Sequence, residues 1–257
     1  MHTARIAYIR AAQIAANTPM NQVLRLLFLA TLLTTATGAE PGNAGHIALV
    51  QHTSQDSGTG TSSVTLSFRS KNTAGNFIAV IVRTGASREV LSITDAKGNV
   101  YKKAVQLDVT LDTPNGHTLA IYYAEKIAGG PNTVTVSGSV YATLQFAILE
   151  YSGVATAQSL DVTAALQGSS TFANSGSATT KTNGELLLGG ISVADAQGLA
   201  AGSGFTAEEG VPTAPNTKLI AEDHVQTAAG AISASGSLLD FSDPWGAVLA
   251  TFKPARH

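Results

Sequence analysis

Val64, Leu66 and Phe68 are apolar, and Thr65, Ser67 and Arg69 between them are polar. A period of two sends successive side chains to opposite faces of a strand, so this segment reads as a strand with one buried face. The same period returns along most of the chain from about His46 to Lys253, interrupted by clusters of Gly, Asn, Ser and Thr. It predicts strands over 46–53, 63–69, 76–84, 89–94, 100–111, 117–127, 133–138, 141–152, 160–166, 177–181, 185–194, 204–208, 217–226, 230–236 and 245–252. After residue 40 no window keeps an apolar stripe at helical spacing, so any helix is a short connector. The expected fold class is all-β, a two-sheet antiparallel β-sandwich in one domain spanning 40–257.

Two segments depart from simple alternation. Ala142, Leu144, Phe146 and Ile148 face one way, while Tyr141, Ala147, Leu149 and Tyr151 face the other. Apolar residues on both faces predict a central strand covered on its second side. Leu186-Leu187-Leu188 followed by Gly189-Gly190 predicts another, with a neighbour approaching where side chains are missing. Asp95-Ala96-Lys97-Gly98-Asn99 fits a hairpin turn with Gly98 left-handed, and Pro114-Asn115-Gly116 and Gly129-Gly130-Pro131-Asn132 fit tight turns. The segment from Ala74 to Val80 resembles that from Thr182 to Leu188, and Leu144 to Tyr151 resembles Trp245 to Phe252. An offset of about 100 to 110 residues is too long for a solenoid, but suits matching strands in two halves of one sandwich.

Ahead of the domain, the run from Leu24 to Leu33 reads as the apolar centre of a secretory signal, followed by Ala36-Thr37-Gly38-Ala39. It is shorter than the roughly 20 residues of a membrane span. The expectation is a pre-sequence over 1–39, cleaved near Ala39, with Met20 an alternative start. The mature chain then has no membrane span and is secreted, extracellular or at the cell surface.

Composition agrees with that compartment. Charged residues make up only 12% of the chain, so Ser, Thr, Asn and Gln must supply the polar surface. Three of the 15 basic residues precede Glu40, leaving 12 against 17 acidic ones, a formal charge of −5. Mild acidity without a basic cluster argues against nucleic acid as a partner. The absence of cysteine excludes disulfides, thiolate metal sites and a cysteine nucleophile.

The segments "AGNFIAVIVRTG", "ITDAKGNVY", "LAIYYAEKIAGGPNTVTVS", "FAILEYSGV", "LDVTAA", "NGELLLGGIS", "AGSGFT" and "WGAVLATFK" cover nearly all of 45–253. Together they resemble a poorly characterised jelly-roll-like domain of secreted and surface bacterial proteins and some phage particle proteins. The resemblance implies a jelly-roll-like sandwich and carries no catalytic residues.

The search for chemistry gives few candidates. The chain lacks Gly-x-Ser-x-Gly and the paired-histidine spacing of zinc hydrolases, and His46 and His52 lie about 20 Å apart along a strand. The histidines are expected at surfaces or strand ends. Glu150, Asp161, Glu125 and Asp223 are the carboxylates to test as a glycosidase pair, with Glu150 expected at a sheet rim. Asp95 with Asn99, and Asp240 with Asp243, have the oxygen ligands that calcium takes; no other cofactor is expected. Tyr122, Tyr141, Tyr151 and Trp245 are the candidates for a sugar-binding aromatic surface, Tyr122 being expected to be exposed. The function this supports is a non-catalytic structural or adhesive component of the cell surface or of an extracellular assembly, not an enzyme. Its partners would be copies of itself, added through strand 46–53, or surface glycans. The alternative is a carbohydrate-binding module, and a glycan-active hydrolase ranks third.

Overall fold

The computed structural model describes residues 46–256, and every regular element among them is a strand. The signal-like run, Met20, the expected cleavage point and His257 lie outside the described residues. Among the described residues no helix is long and apolar enough to cross a membrane.

The first half contains β1 (Ala48–Asp56), β2 (Thr61–Ser67), β3 (Phe77–Thr84), β4 (Ser92–Asp95), β5 (Lys102–Val109), β6 (His117–Ala124), β7 (Thr133–Ala142) and β8 (Leu144–Ser152). The second contains β9 (Leu160–Ser170), β10 (Phe172–Asn174), β11 (Ala178–Thr179), β12 (Leu186–Gln197), β13 (Leu199–Ala201), β14 (Thr206–Val211), β15 (Thr217–Val225), β16 (Ala231–Ile232), β17 (Ser235–Leu238) and β18 (Asp243–Phe252).

In the first half β1-β8-β3-β6-β5 form one sheet and β2-β7-β4 another. That interleaving of early and late strands is jelly-roll order. The second half repeats it strand for strand, as β9-β18-β12-β15-β14 with β10-β17-β13, and adds the short pair β11-β16. The chain is two jelly rolls in tandem. Phe77 pairs with Tyr151 as Leu186 pairs with Phe252, so the resemblance of 144–151 to 245–252 keeps its alignment. The other resemblance shifts by one residue, matching Gly75 to Gly184, both with positive φ.

The all-β sandwich class stands, but the stack has four layers where two were expected. Phe77, Ala79, Ile81, Leu149 and Tyr151 pack against Leu186, Leu188, Val248, Ala250 and Phe252, so the five-stranded sheets of the two halves face each other. The opposite faces are also covered. Ile78, Val80, Phe146 and Ile148 pack under β2-β7-β4, and Ile191, Trp245 and Ala247 under the outer strands of the second half. A strand buried on both faces must be apolar on both, which is why β3, β6 and β8 carry near-continuous apolar runs. The glycine pair behaves as predicted: a Cβ on Gly189 would stand 2.6 Å from Glu222 Cγ, and one on Gly190 would stand 3.1 Å from Ile81 and Val248.

Other expectations change. Gly98 is left-handed, yet 95–99 is not a hairpin: β4 pairs with β7 and β5 with β6, so the chain crosses between sheets there. Strand 46–53 is not free for donation, because β1 pairs along its length with β8; only its outer edge is open. Glu150 lies in the interior, not at a rim, and accepts from Gln51 Nε2, Asn72 Nδ2, Asn76 Nδ2 and the Thr73 backbone N–H at 2.7–2.8 Å.

Phe146 is fully buried between β8 and the outer sheet. Phe146→Ala is expected to cost about 3–5 kcal/mol, measured as a shift in the urea unfolding midpoint. A loss below about 1 kcal/mol would contradict the face assigned to it.

Candidate functional site

Ionisable side chains gather at two places along the seam between the halves. At the first, Asp112 Oδ2 lies 2.8 Å from His117 Nδ1, and Ser192 Oγ lies 2.8 Å from His117 Nε2. Asp112 is held below the usual carboxylate range, first by the hydrogen bond from His117, so it is ionised and accepts from Nδ1–H. Nε2 is then the acceptor, and the Ser192 hydroxyl donates to it. The sequence of groups matches a Ser-His-Asp relay, which geometry and roles define. Its surroundings do not suit catalysis. His117 and Ser192 have no exposed surface, and a Cβ at Gly246 would stand only 3.1 Å from Ser192 Oγ. A carbonyl carbon cannot approach that oxygen without opening the seam. The relay pins β6 of the first half to β12 of the second. Beside it Arg83 is buried, donating to Val193 O at 3.1 Å and Gln145 Oε1 at 3.0 Å. His117, expected at the surface, is therefore interior: its strand begins under the facing sheet.

The second gathering straps β1 to β14. A bulge between Ala207 and Glu209 sends neighbouring Glu208 and Glu209 towards the same histidine. Glu209 Oε1 is 2.8 Å from His52 Nδ1, and Glu209 Oε2 accepts from Ser54 Oγ at 2.7 Å. Glu208 Oε2 is 3.5 Å from His52 Nε2, while Asp223 accepts from the Tyr151 hydroxyl at 2.7 Å. Burial, followed by the mutual repulsion of Glu208 and Asp223, raises Glu208; burial likewise raises Asp223. Ser54 bonds to the carboxylate and not to the imidazole, so no nucleophile is activated. The matching place on the other side of the seam, between β5 and β9 and set by the same bulge in β5, holds Thr163, Ala104, Val105, Tyr123 and Phe252. There Phe77 and Tyr123 stack at 5.8 Å, and Phe252 meets both edge-on at 4.8 and 5.1 Å. The scaffold closes one seam with aromatic rings and its counterpart with charges.

The residues singled out in the sequence do not converge. Glu125 is held by Lys102 and Ser159, and Glu150 serves the loop before β3. Asp161 accepts from the Lys181 backbone N–H and adjoins the buried Glu185, whose carboxyl is raised first by burial, while Asp223 adjoins Glu208; no two of the four candidates meet. Asp95 accepts from Lys97 N, Asn99 N, Asn99 Nδ2, Tyr101 OH and Asn132 Nδ2, so donors surround both oxygens in a turn cap. Asp240 caps Gly198 N and Asp243 caps Asp195 N, each separately. Tyr122, expected to be exposed, is buried beneath the outer sheet with its hydroxyl 3.4 Å from Leu91 O. Tyr151 is buried in the seam and Trp245 in the second outer core, where its Nε1 donates to Ser170 Oγ. Tyr141 alone of the four rings is exposed, at 77%.

Tyr141 belongs to a larger surface feature. Thr84 pairs with both Leu144 and Thr118, so the ends of β1, β3 and β5 and the starts of β6 and β8 share one end of the stack. The bond from Arg83 to Val193 O places the late part of β12, and with it the start of β18, at that end too. Val90, Leu111, Val140, Tyr141, Phe172, Leu239 and Phe241 all lie there, seven of the ten exposed large apolar side chains among the described residues. The described chain enters and leaves at the opposite end, where Lys253 O accepts from Ala155 N and a Cβ on Gly153 would run into the His46 carbonyl. The loop end was invisible to periodicity because its members sit in connections (Val90, Leu111, Leu239, Phe241) or at the extreme ends of strands (Val140 and Tyr141 in β7, Phe172 in β10).

Two buried groups give a pH signature of opposite sign. Burial lowers His117 to about 4, whereas burial raises Glu222, beneath the second outer sheet, to about 7. His117 resists protonation when folded, so the stability it contributes is complete above its unfolded pKa near 6.5 and is lost as pH falls through about 4. Glu222 resists ionisation, so its contribution is complete below 4.5 and is lost as pH rises through about 7. Urea midpoints between pH 4 and 8 should therefore fall at both extremes; Glu222→Gln should flatten the alkaline side and His117→Gln the acid side.

No protein-family model, no curated protein and no solved structure matches the chain.

Proposed function

We propose that this protein is a secreted, non-catalytic β-sandwich acting as a structural or adhesive component of the cell surface or of an extracellular assembly, and that it engages its partner through the loop end. The observation that supports the reading is the one-sided distribution of exposed large apolar side chains, on connections and strand ends opposite the end where the described residues begin and finish. Monomeric surfaces scatter such residues, and their concentration on one patch is what interaction surfaces share. Four strand layers give these loops a rigid base, and rigid scaffolds with variable loops are a general way to carry recognition. The resemblance to jelly-roll-like domains of secreted and surface proteins points the same way. The seam relay adds no activity to this reading, because its serine is sealed.

Replacing Tyr141, Phe172, Leu239 and Phe241 together with Ser tests it. In cells displaying the chain, attachment to one another and to surfaces should fall by about tenfold, a loss that two or three apolar anchors readily account for. The unfolding midpoint should barely move, since these side chains are exposed. Unchanged attachment by the folded variant would overturn the proposal. Saturable glycan-array binding that depends on Tyr141 would instead support the carbohydrate-binding alternative.

A further inference from the structure

We infer that the loop end receives a protein segment carrying Lys or Arg between apolar side chains. The inference rests on the adhesive reading and gives it a partner chemistry. The middle of this end is the top of the seam, where Asp112, Asp243, Asp56 and Asp195 lie near enough to Arg83 to feel its charge. Arg83 itself is buried and directs its donors inward to Val193 O and Gln145. Its charge is not offered to a partner, but the acidic side chains around it reach the surface to different degrees. Asp195 is exposed, Asp56 and Asp112 are half-buried and Asp243 is buried, while Asp240, exposed between Leu239 and Phe241, adds its charge on the second-half flank. On the basic side, Lys218 directs its Nζ to Ala194 O at 2.9 Å, and Arg88 lies out on the β3–β4 loop.

The apolar side chains stand on both flanks of this acidic strip. Val90 in the β3–β4 connection and Val140 and Tyr141 at the end of β7 belong to the first half, and Phe172 at the start of β10 with Leu239 and Phe241 in the β17–β18 connection to the second. The two flanks follow from the duplication, since β7–β8 and β17–β18 are equivalent connections. A partner matching the whole end makes apolar contact twice with positive charge between. A second copy of this end would set acid against acid, and an anionic membrane would meet the same repulsion. Like-charge juxtaposition costs specificity and on-rate, whereas opposite charge steers association. Apolar anchors then supply most of the affinity.

The test uses the full chain and three synthetic peptides with identical Leu/Phe flanks and a central Lys-Lys, Gln-Gln or Glu-Glu pair. Binding is read by calorimetry and by backbone amide shifts. The Lys peptide should bind about tenfold or more tighter than the Gln peptide and lose that advantage as salt screens the charges, while the Glu peptide should bind weakest. Shifts should fall in 85–91, 139–143, 195–198 and 239–242. D195N/D240N should bring the Lys peptide down to the Gln peptide's affinity without weakening the latter, and L239S/F241S should weaken all three. Equal affinity for the three peptides at these loops would overturn the charge preference and leave the adhesive reading standing. Shifts elsewhere, together with normal attachment by the four-Ser variant, would sink both. Tight binding to phosphatidylglycerol or phosphatidylcholine vesicles, lost in L239S/F241S and without peptide binding, would replace the protein partner with a lipid surface.

Discussion

The apolar layer between the two five-stranded sheets is the contact on which the rest of the architecture depends. Each half is a jelly roll with a covered outer face, but its larger sheet would expose Phe77, Ile81, Leu119, Leu149 and Tyr151 if it stood alone. A patch of that size is not left in water, because burying each large apolar side chain is worth about 1.5–3 kcal/mol. Pairing the two halves face to face solves the problem for both at once. Because the halves share one strand order, the seam has the character of an isologous interface inside a single chain. β1 of one half lies across from β14 of the other, and β5 lies across from β9. Apolar burial has no direction, so the polar pins fix the alignment. His117 to Ser192, Arg83 to Val193 and Tyr151 to Asp223 each join one half to the other.

Duplication also shows which local problems the fold must solve and which solutions are interchangeable. The loop before each half's central strand leaves a backbone N–H to be satisfied. In the first half Thr73 N donates to Glu150 on β8, and in the second Thr182 N donates to Glu185 just ahead of β12. Register places Asn76 opposite Glu185 in the repeat, and Glu150 opposite Thr251, so the carboxylate has moved from one strand to its neighbour. The buried acceptor is required; its address is not. A similar exchange occurs beneath the outer sheets, where Tyr122 beside Val80 is matched by Glu222 beside Gly189. The absent side chain at Gly189 makes the room that Glu222 fills, and its oxygens accept from Gly202 N and Ser235 N.

How much of this was legible in the sequence follows from where each signal lies. Runs such as 77–84, 144–152 and 186–191 announce burial on both faces, because a polar residue there would need a partner inside the protein. The glycine pair at 189–190 and the tandem echo were readable for the same reason. The short strands β10, β13 and β17 were harder, since three or four residues rich in Ala, Gly and Ser carry no period. The 95–99 turn was readable as a turn, but turn chemistry does not say which sheet the next strand joins. The side-chain clusters were least legible. His117 and Ser192 are 75 positions apart, and Glu208 meets His52 only because a bulge re-aims it.

The two seam clusters and the loop end also differ in what their atoms have left to offer. In the relay each of the three side chains already has a partner at 2.8 Å inside the protein, and the imidazole lies in a site that keeps it neutral. In the β1–β14 strap the carboxylates are engaged by His52, Ser54 and Tyr151, and its counterpart does the same closing work with rings. Chemistry that the fold can replace with aromatic packing is chemistry used for cohesion. The loop-end side chains have no such counterpart role, because deleting Phe241 or Tyr141 uncovers little that the core needs hidden. Under the adhesive reading proposed above, what such a side chain contributes is contact outside its own chain. The cohesive and the outward-facing parts of this molecule are thus separated along its length, with the polar pins inside the stack and the exposed rings at one end of it.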